Sequence, residues 1–166
     1  MEVAWTKQLS IGNAVIDSEH QNLIVMINRI ESMIKANDIS PLSQELEQLE
    51  RSLCIHFINE EKLAKAINFP FEQNKQEHKF VLKEFQRMKD ELLSRKGALT
   101  GSAAAHYSNF LGDWLTGHVM REDMLMKPAL QKYDYKFWPG GKEGEANYAA
   151  GSMASLYLQL FDEPAA

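Results

Sequence analysis

Apolar positions recur along this chain with the 3.6-residue period of an α-helix, and no segment alternates with the two-residue period of a β-strand. The helical period is carried by four long segments, at about 18–36, 41–69, 71–95 and 102–126. Short connections between antiparallel helices are typical of bundles. The pattern therefore predicts an all-α fold, an up-down-up-down four-helix bundle.

Local sequence signals place the ends of these helices. Asp17 or Ser18 can cap the first helix, because both side chains accept hydrogen bonds from the first turn. Pro41 stands in the first position of the second helix, where its missing N–H is not needed. Pro128 is expected to stop the fourth helix near Met126, because proline cannot continue an α-helix.

The bundle is predicted to occupy residues 1–131, beginning with an N-terminal extended arm. Residues 132–166 form a C-terminal extension, in which 148–161 has the pattern of a short amphipathic helix. That helix is expected to dock on the bundle; contact with a second copy of the chain or with a protein partner is the alternative. The chain is expected to be a monomer or a weak dimer.

Polar side chains occupy several positions on the inward-facing stripes of the predicted helices. Four of the five histidines do so, one in each helix, and two carboxylates join them: His20, His56, His78, His118, Glu60 and Asp123. Glu60 follows His56 by four residues, so both side chains lie on one helix face. Asp123 lies about 140° around an ideal helix from His118. It therefore reaches the same point only through a change of geometry at the helix end or a swing of its side chain. His106 lies more than three turns from His118 and is expected to be a capping or surface histidine.

A carboxylate that is ionised inside an apolar bundle must be balanced by positive charge, because burying it alone costs on the order of several kcal/mol. One possibility is a set of buried histidine–carboxylate ion pairs. A metal centre is favoured, because one histidine from every helix and two acids can converge in a bundle interior. These ligands suit iron, manganese or zinc, and the single cysteine, Cys54, argues against a structural zinc site built from thiolates.

Composition narrows the class of protein further. The chain has 166 residues, 45% of them hydrophobic, which is enough for one domain with a buried core. A net charge of -5 and a pI near 5.6 argue against nucleic-acid binding. No apolar run approaches the roughly 20 residues that cross a bilayer, and no secretory signal is recognisable. We therefore expect no membrane association and a cytoplasmic location.

Three sequence motifs resemble those of the bacterial hemerythrins, over about residues 3–130. They are LSIGNAVIDSEHQNLI, HFINEEKL and WLTGHVMRED, in the family's order. The resemblance implies a four-helix bundle that holds a non-haem di-iron centre and binds dioxygen. It also implies the ligands, which are four histidines and two carboxylates that bridge the two irons: His20, His56, His78, His118, Glu60 and Asp123.

The third-helix motif departs from the family pattern, in which two histidines stand four residues apart. Here the segment reads NKQEH, so His78 is present and Asn74 takes the place of the other histidine. The iron that His78 and His118 bind therefore lacks one imidazole. Asn74 is expected to bind this iron weakly through its carbonyl oxygen, to hold a water, or to leave the site loose and partly filled. Glu77 is the less favoured substitute, because it is rotated about 100° from His78.

The resemblance extends to an apolar wall that lines the oxygen-binding cavity in the family: Leu23, Phe57, Trp114, Leu115 and Val119. We therefore expect a protein with two iron ions that binds dioxygen for storage, delivery or sensing. The alternative is a di-iron enzyme that reduces or activates dioxygen, peroxide or nitric oxide. The missing histidine favours this alternative, because an open position on each iron lets a ligand reach both.

Overall fold

The computed structural model describes residues 2–38, 40–94, 101–140 and 151–161. Within these ranges every regular element is helical, which confirms the predicted all-α class. The alternation that a strand requires is missing from the sequence, and the amphipathic period that buries one helical face is present in each long segment.

Four long helices form the bundle: α1 (Ala14–Ala36), α2 (Leu42–Ala66), α3 (Glu72–Ser94) and α4 (Gly101–Arg121). Consecutive helices pack against each other, and α4 closes the ring by packing on α1. Pro41 immediately precedes α2 rather than taking its first position. Three of the four helices begin within one residue of the predicted start, and α1 begins earlier.

The start of α1 corrects the prediction that Asp17 or Ser18 caps it. The helix begins at Ala14, and the Asn13 side chain accepts hydrogen bonds from two backbone N–H groups of the first turn. Asp17 instead accepts from the Ser10 hydroxyl at 2.5 Å and from the Ile11 N–H at 2.9 Å. The carboxylate therefore fastens the N-terminal arm to the bundle.

The end of α4 also corrects the prediction. The α-helix ends at Arg121 and not near Met126, and a 3-10 turn follows at Asp123–Met126. Pro128 does not stop a helix, because it lies in the first turn of the short helix α5 (Lys127–Leu130), where a backbone N–H is not needed. The change from α-helix to 3-10 turn re-aims the side chains that follow Arg121.

The core lies between the four long helices and is apolar along most of their length. Its fully buried side chains include two phenylalanines, Phe57 and Phe85, and leucines and isoleucines from α1, α2 and α3. Burying a side chain of this size contributes about 1.5–3 kcal/mol. Ile11 from the arm is also fully buried, so the arm is part of the packed fold.

The C-terminal extension docks on the bundle within the same chain. Its described helix, α6 (Met153–Phe161), packs on α2 and buries Leu156 and Leu160. The predicted start near residue 148 lies outside the described residues. The Tyr157 hydroxyl donates a hydrogen bond to the buried Glu50 carboxylate at 2.7 Å, which fixes α6 against α2.

Cys54 lies on α2 beneath α6 and is fully buried. Burial, together with the negative charge of Glu50, raises the pKa of its thiol to about 12. Because the thiolate is the reactive form, we expect Cys54 in the folded chain to react with a disulfide reagent at pH 8 at least ~1,000-fold more slowly than in the unfolded chain. Stopped-flow thiol titration with and without urea measures this ratio, and equal rates would contradict the prediction.

Candidate metal centre

The six polar residues predicted on the inner stripes meet at one place inside the bundle. Each long helix contributes one imidazole, α2 adds a carboxylate four residues after its histidine, and the 3-10 turn adds the second carboxylate. None is more than 1% exposed: His20, His56, Glu60, His78, His118 and Asp123. The structure therefore brings together every side chain that the sequence pattern placed inside.

Glu60 lies between histidines of three helices. Its Oε1 atom is 3.2 Å from Nε2 of His56 and 3.6 Å from Nε2 of His20. Its Oε2 atom is 3.1 Å from Nε2 of His78. The two carboxylate oxygens therefore face two different groups of imidazoles.

Asp123 divides its oxygens in the same way. Oδ2 is 3.4 Å from Nε2 of His20, and Oδ1 is 3.0 Å from Nε2 of His118. Asp123 faces the same point as His118 because the α-helix ends at Arg121 and the chain continues as a 3-10 turn.

Two overlapping groups of ligand atoms result, each with its atoms within 4.8 Å of one another. The first cation pocket consists of His20, His56, Glu60 and Asp123. The second cation pocket consists of Glu60, His78, His118 and Asp123. Because the two pockets share both carboxylates, they are adjacent, and each has side chains that could hold a cation.

The donor atoms themselves fit metal ions. Nε2 of His20 and His56, both oxygens of Glu60 and Oδ2 of Asp123 are buried without a hydrogen-bond partner. Buried polar atoms are almost always hydrogen-bonded, so a cluster of five that face one another needs another explanation. Cations between them would satisfy all five, and imidazole with carboxylate is a donor set suited to iron, manganese or zinc.

Asn74 lies at the second cation pocket and is 2% exposed. Its Nδ2 donates a hydrogen bond of 3.1 Å to Oδ1 of Asp123, the same oxygen that faces His118. The amide therefore contacts a shared carboxylate, and the pocket retains two imidazoles.

Two further carboxylates contact the outer nitrogens of the imidazoles. Oε2 of Glu19 is 2.8 Å from Nδ1 of His56, and Oε1 of Glu19 accepts from Nδ2 of Asn59 at 2.5 Å. Oε2 of Glu77 is 2.8 Å from Nδ1 of His118, on the side away from the cation pockets. Sequence reasoning missed Glu19 and Asn59; the signal for Glu19 was an acid directly before an inward histidine.

Aromatic rings cover the histidines of the second cation pocket. Phe57 stacks on His78 with ring centroids 3.7 Å apart and planes 9° apart. Trp114 stacks on His118 at 4.8 Å and 12°, and its outer face lines a surface cavity of about 490 Å³ that the exposed His106 also borders. His106 is thus the surface histidine that was expected.

The other residues of the predicted apolar wall are buried around the ligands. Leu23, Leu115 and Val119 are each at most 2% exposed. Leu23 and Glu19 also border a cavity of about 70 Å³ between α1 and α2. Apolar packing of this kind excludes water from the polar cluster.

The electrostatics of the cluster follow from burial and close opposite charges. Burial lowers the pKa of His118, but the Asp123 carboxylate outweighs it and raises that pKa to about 9. Burial lowers the pKa of His56 too, and the charge of Glu60 brings it well above its ordinary value. Burial would raise the pKa of Glu60, whereas His56 and the other surrounding imidazoles hold it well below its usual range. For His78, burial prevails and the pKa is lowered.

These shifts predict that cation binding releases protons. Without a cation, His118 is protonated at pH 7, because its pKa is raised to about 9, and the pKa values of His56 and His20 are raised as well. A protonated ring must lose its proton to bind metal, so we expect at least one proton to be released at pH 7 and an affinity that increases with pH up to about pH 9. Calorimetry in two buffers of different ionisation enthalpy measures the number, and no release at pH 7 would contradict the assignment.

The fold and the cluster together define a class of protein: a helical bundle whose buried imidazoles and two shared carboxylates can hold adjacent cations. A family model described as the hemerythrin HHE cation binding domain matches residues 12–130. The chain therefore belongs to the hemerythrin family, which confirms the resemblance of the three motifs.

Similar proteins support this membership. Bacteriohemerythrin of Aquifex aeolicus is 25% identical over 124 residues, covering 74% of this chain and 93% of that protein. Bacteriohemerythrin of Pseudomonas aeruginosa is 25% identical over 121 residues, covering 73% and 76%. Bacteriohemerythrin of Stenotrophomonas maltophilia is 23% identical over 144 residues, covering 84% and 91%. Membership of the family implies that the cation is non-haem iron.

Proposed function

We propose that this chain is a di-iron protein that binds dioxygen or a related small ligand. The observation that carries the proposal is the pair of adjacent cation pockets that share Glu60 and Asp123. His20 and His56 would complete the ligands of the first iron, and His78 and His118 those of the second. The family and the names of the similar proteins support iron as the metal.

When bound, a ferrous pair supplies the electrons for the chemistry of dioxygen. The protein side chains would hold and shield that pair. Each oxygen of Glu60 and Asp123 faces one pocket, so each carboxylate could supply one ligand atom to each pocket. The rings of Phe57 and Trp114, with the aliphatic side chains beside them, keep water away from the ligands.

Asn74 favours oxidation of the centre over reversible storage. Since its amide donates to Asp123, each cation pocket contributes two imidazoles, and both irons would have room for an outside ligand. A ligand such as peroxide or nitric oxide could then reach both metals. An enzyme that reduces or activates dioxygen, peroxide or nitric oxide is therefore the second candidate function.

The test is rapid mixing of the ferrous-loaded full chain with dioxygen. A protein for storage, delivery or sensing forms a coloured adduct that persists for minutes and is reversed by removing dioxygen. The enzymatic alternative predicts rapid loss of any adduct and repeated consumption of dioxygen when a reductant is supplied. A chain that takes up no iron under these conditions would overturn both.

We also propose that the chain acts in the cytoplasm as a monomer or weak dimer. Among the described residues no helix combines the length and apolar character needed to cross a bilayer. The apolar face of α6 is occupied by the chain's own α2, which supports docking within one chain over assembly through this helix. Sedimentation of the iron-loaded chain at several concentrations tests the oligomeric state.

A further inference from the structure

Two ligand histidines, one in each cation pocket, have a carboxylate on the ring nitrogen that faces away from the cations. We propose that Glu19 and Glu77 are positioning residues, and that each sets the orientation and metal affinity of one pocket through its histidine. Glu19 acts through His56, and Glu77 acts through His118. This inference rests on the proposed function, because it assumes that the two histidines bind metal.

The geometry favours one of the two ring nitrogens as the cation ligand. A carboxylate 2.8 Å from Nδ1 accepts the N–H of that nitrogen, so the proton that leaves on metal binding is the one on Nε2, and its lone pair then faces the cation. Nε2 of His56 lies 3.2 Å from Glu60, and Nε2 of His118 lies 3.0 Å from Asp123. Each outer carboxylate therefore selects the tautomer that can bind a cation and stops the ring from rotating.

The remaining histidine of the first pocket has no such support. Nδ1 of His20 is buried without a hydrogen-bond partner. In the second pocket, the ring of His78 is held by stacking on Phe57. Orientation by a charged hydrogen-bond acceptor thus falls on Glu19 in the first pocket and on Glu77 in the second.

The two carboxylates are confined to different degrees. Glu19 is 9% exposed, and its second oxygen is held by Asn59, so both of its oxygens are fixed by the fold. The side chain of Glu77 is 23% exposed and borders an open cavity of about 270 Å³ that Arg121 also lines. Water can take the place of the Glu77 carboxylate at Nδ1 of His118. Substitution of Glu77 should therefore weaken metal binding less than substitution of Glu19.

The experiment measures zinc(II) binding to the full chain in backgrounds where one pocket is disabled. His78→Ala leaves the first pocket with its two histidines, and His20→Ala leaves the second. In the first background, Glu19→Gln should weaken zinc binding by about 10–100-fold, while Glu77→Gln leaves it unchanged. In the second background, Glu77→Gln should weaken binding by about 10-fold, while Glu19→Gln leaves it unchanged. Competition with a chromophoric chelator gives the dissociation constants.

A spectroscopic signature separates positioning from a general structural effect. In the zinc-loaded chain with both pockets intact, ¹⁵N NMR should show a protonated Nδ1 on both His56 and His118. Glu19→Gln should move only the His56 signals, and Asn59→Ala should move them in the same direction by less. Melting of the metal-free variants measures separately what each substitution costs the fold, and for Glu19→Gln this includes the loss of the charged partner of His56.

The possible results distinguish a failure of the positioning role from a failure of the proposed di-iron function. Zinc binding that neither outer substitution changes, with unmoved histidine signals, would overturn the positioning role alone. Equal weakening of both pockets by either substitution would also overturn it. No zinc binding to the unsubstituted chain would overturn the di-iron proposal itself.

Discussion

Glu60→Gln should empty both cation pockets at once. Its two oxygens face different pockets, so one substitution removes a ligand charge from each. Glutamine keeps the shape of the side chain, but one carboxylate oxygen is replaced by an NH2 group. That group is a hydrogen-bond donor and cannot bind a cation as the oxygen does. We expect the affinity for each iron to fall by at least ~100-fold, a larger loss than removal of an outer hydrogen-bond partner causes. Metal analysis after dialysis against a fixed ferrous concentration measures it.

The neighbouring acid on α2 gives a matched control. Glu61 lies near the surface, where it pairs with Lys65 at 3.3 Å and Lys75 at 3.5 Å. Glu61→Gln removes the same charge from the same turn without touching the pockets, and the iron content should stay at the unsubstituted level. Full iron occupancy in Glu60→Gln would show that Glu60 bridges nothing.

Asn74→His should strengthen the second cation pocket and prolong the life of an oxygen adduct. The substitution adds an imidazole one turn before His78 and removes the bond to Oδ1 of Asp123. Both changes should strengthen metal binding in the second cation pocket, by about 10–100-fold in affinity. The added imidazole would also occupy the room proposed above for an outside ligand. Iron content at limiting ferrous concentration and the decay of the oxygenated spectrum report the two effects.

Asn74→Ala is the control for this variant, because it removes the amide without adding an imidazole. It should not gain iron, and its adduct should decay at least as fast as that of the unsubstituted chain. Asn74→His with unchanged iron affinity and unchanged adduct decay would show that the amide does not limit the centre.

The sequence predicted the bundle and the polar cluster for a simple physical reason. Helical periodicity tells which side chains face inward, and histidine with glutamate at i and i+4, as in His56 and Glu60, must then share one face. Asp123 was the exception in spacing, and the structure shows why. The turn of the chain after Arg121 brings it inward, and the period of the fourth segment did not reveal that change.

Other features depend on which of several suitable residues makes a given contact, and the sequence pattern alone does not reveal that. Asn13 and Asp17 are both good capping residues, and only the folded arm shows that Asp17 is bound to it while Asn13 caps α1. Glu19 was missed for a related reason. It lies at the edge of the inward stripe, and its role depends on which side chain of a neighbouring helix, here His56, comes within reach.

The 3-10 turn that carries Asp123 has a consequence for how the protein is made. The chain after this turn is tied to the start of the bundle, through the amide of Asn13 donating to the Phe137 carbonyl and through Lys127 donating to the Ser10 carbonyl. A nascent chain still emerging from the ribosome therefore has only part of each pocket, however well its first helices have folded. Because Asp123 belongs to both pockets, we expect stable metal binding only after synthesis has passed this turn and both ends of the bundle have met.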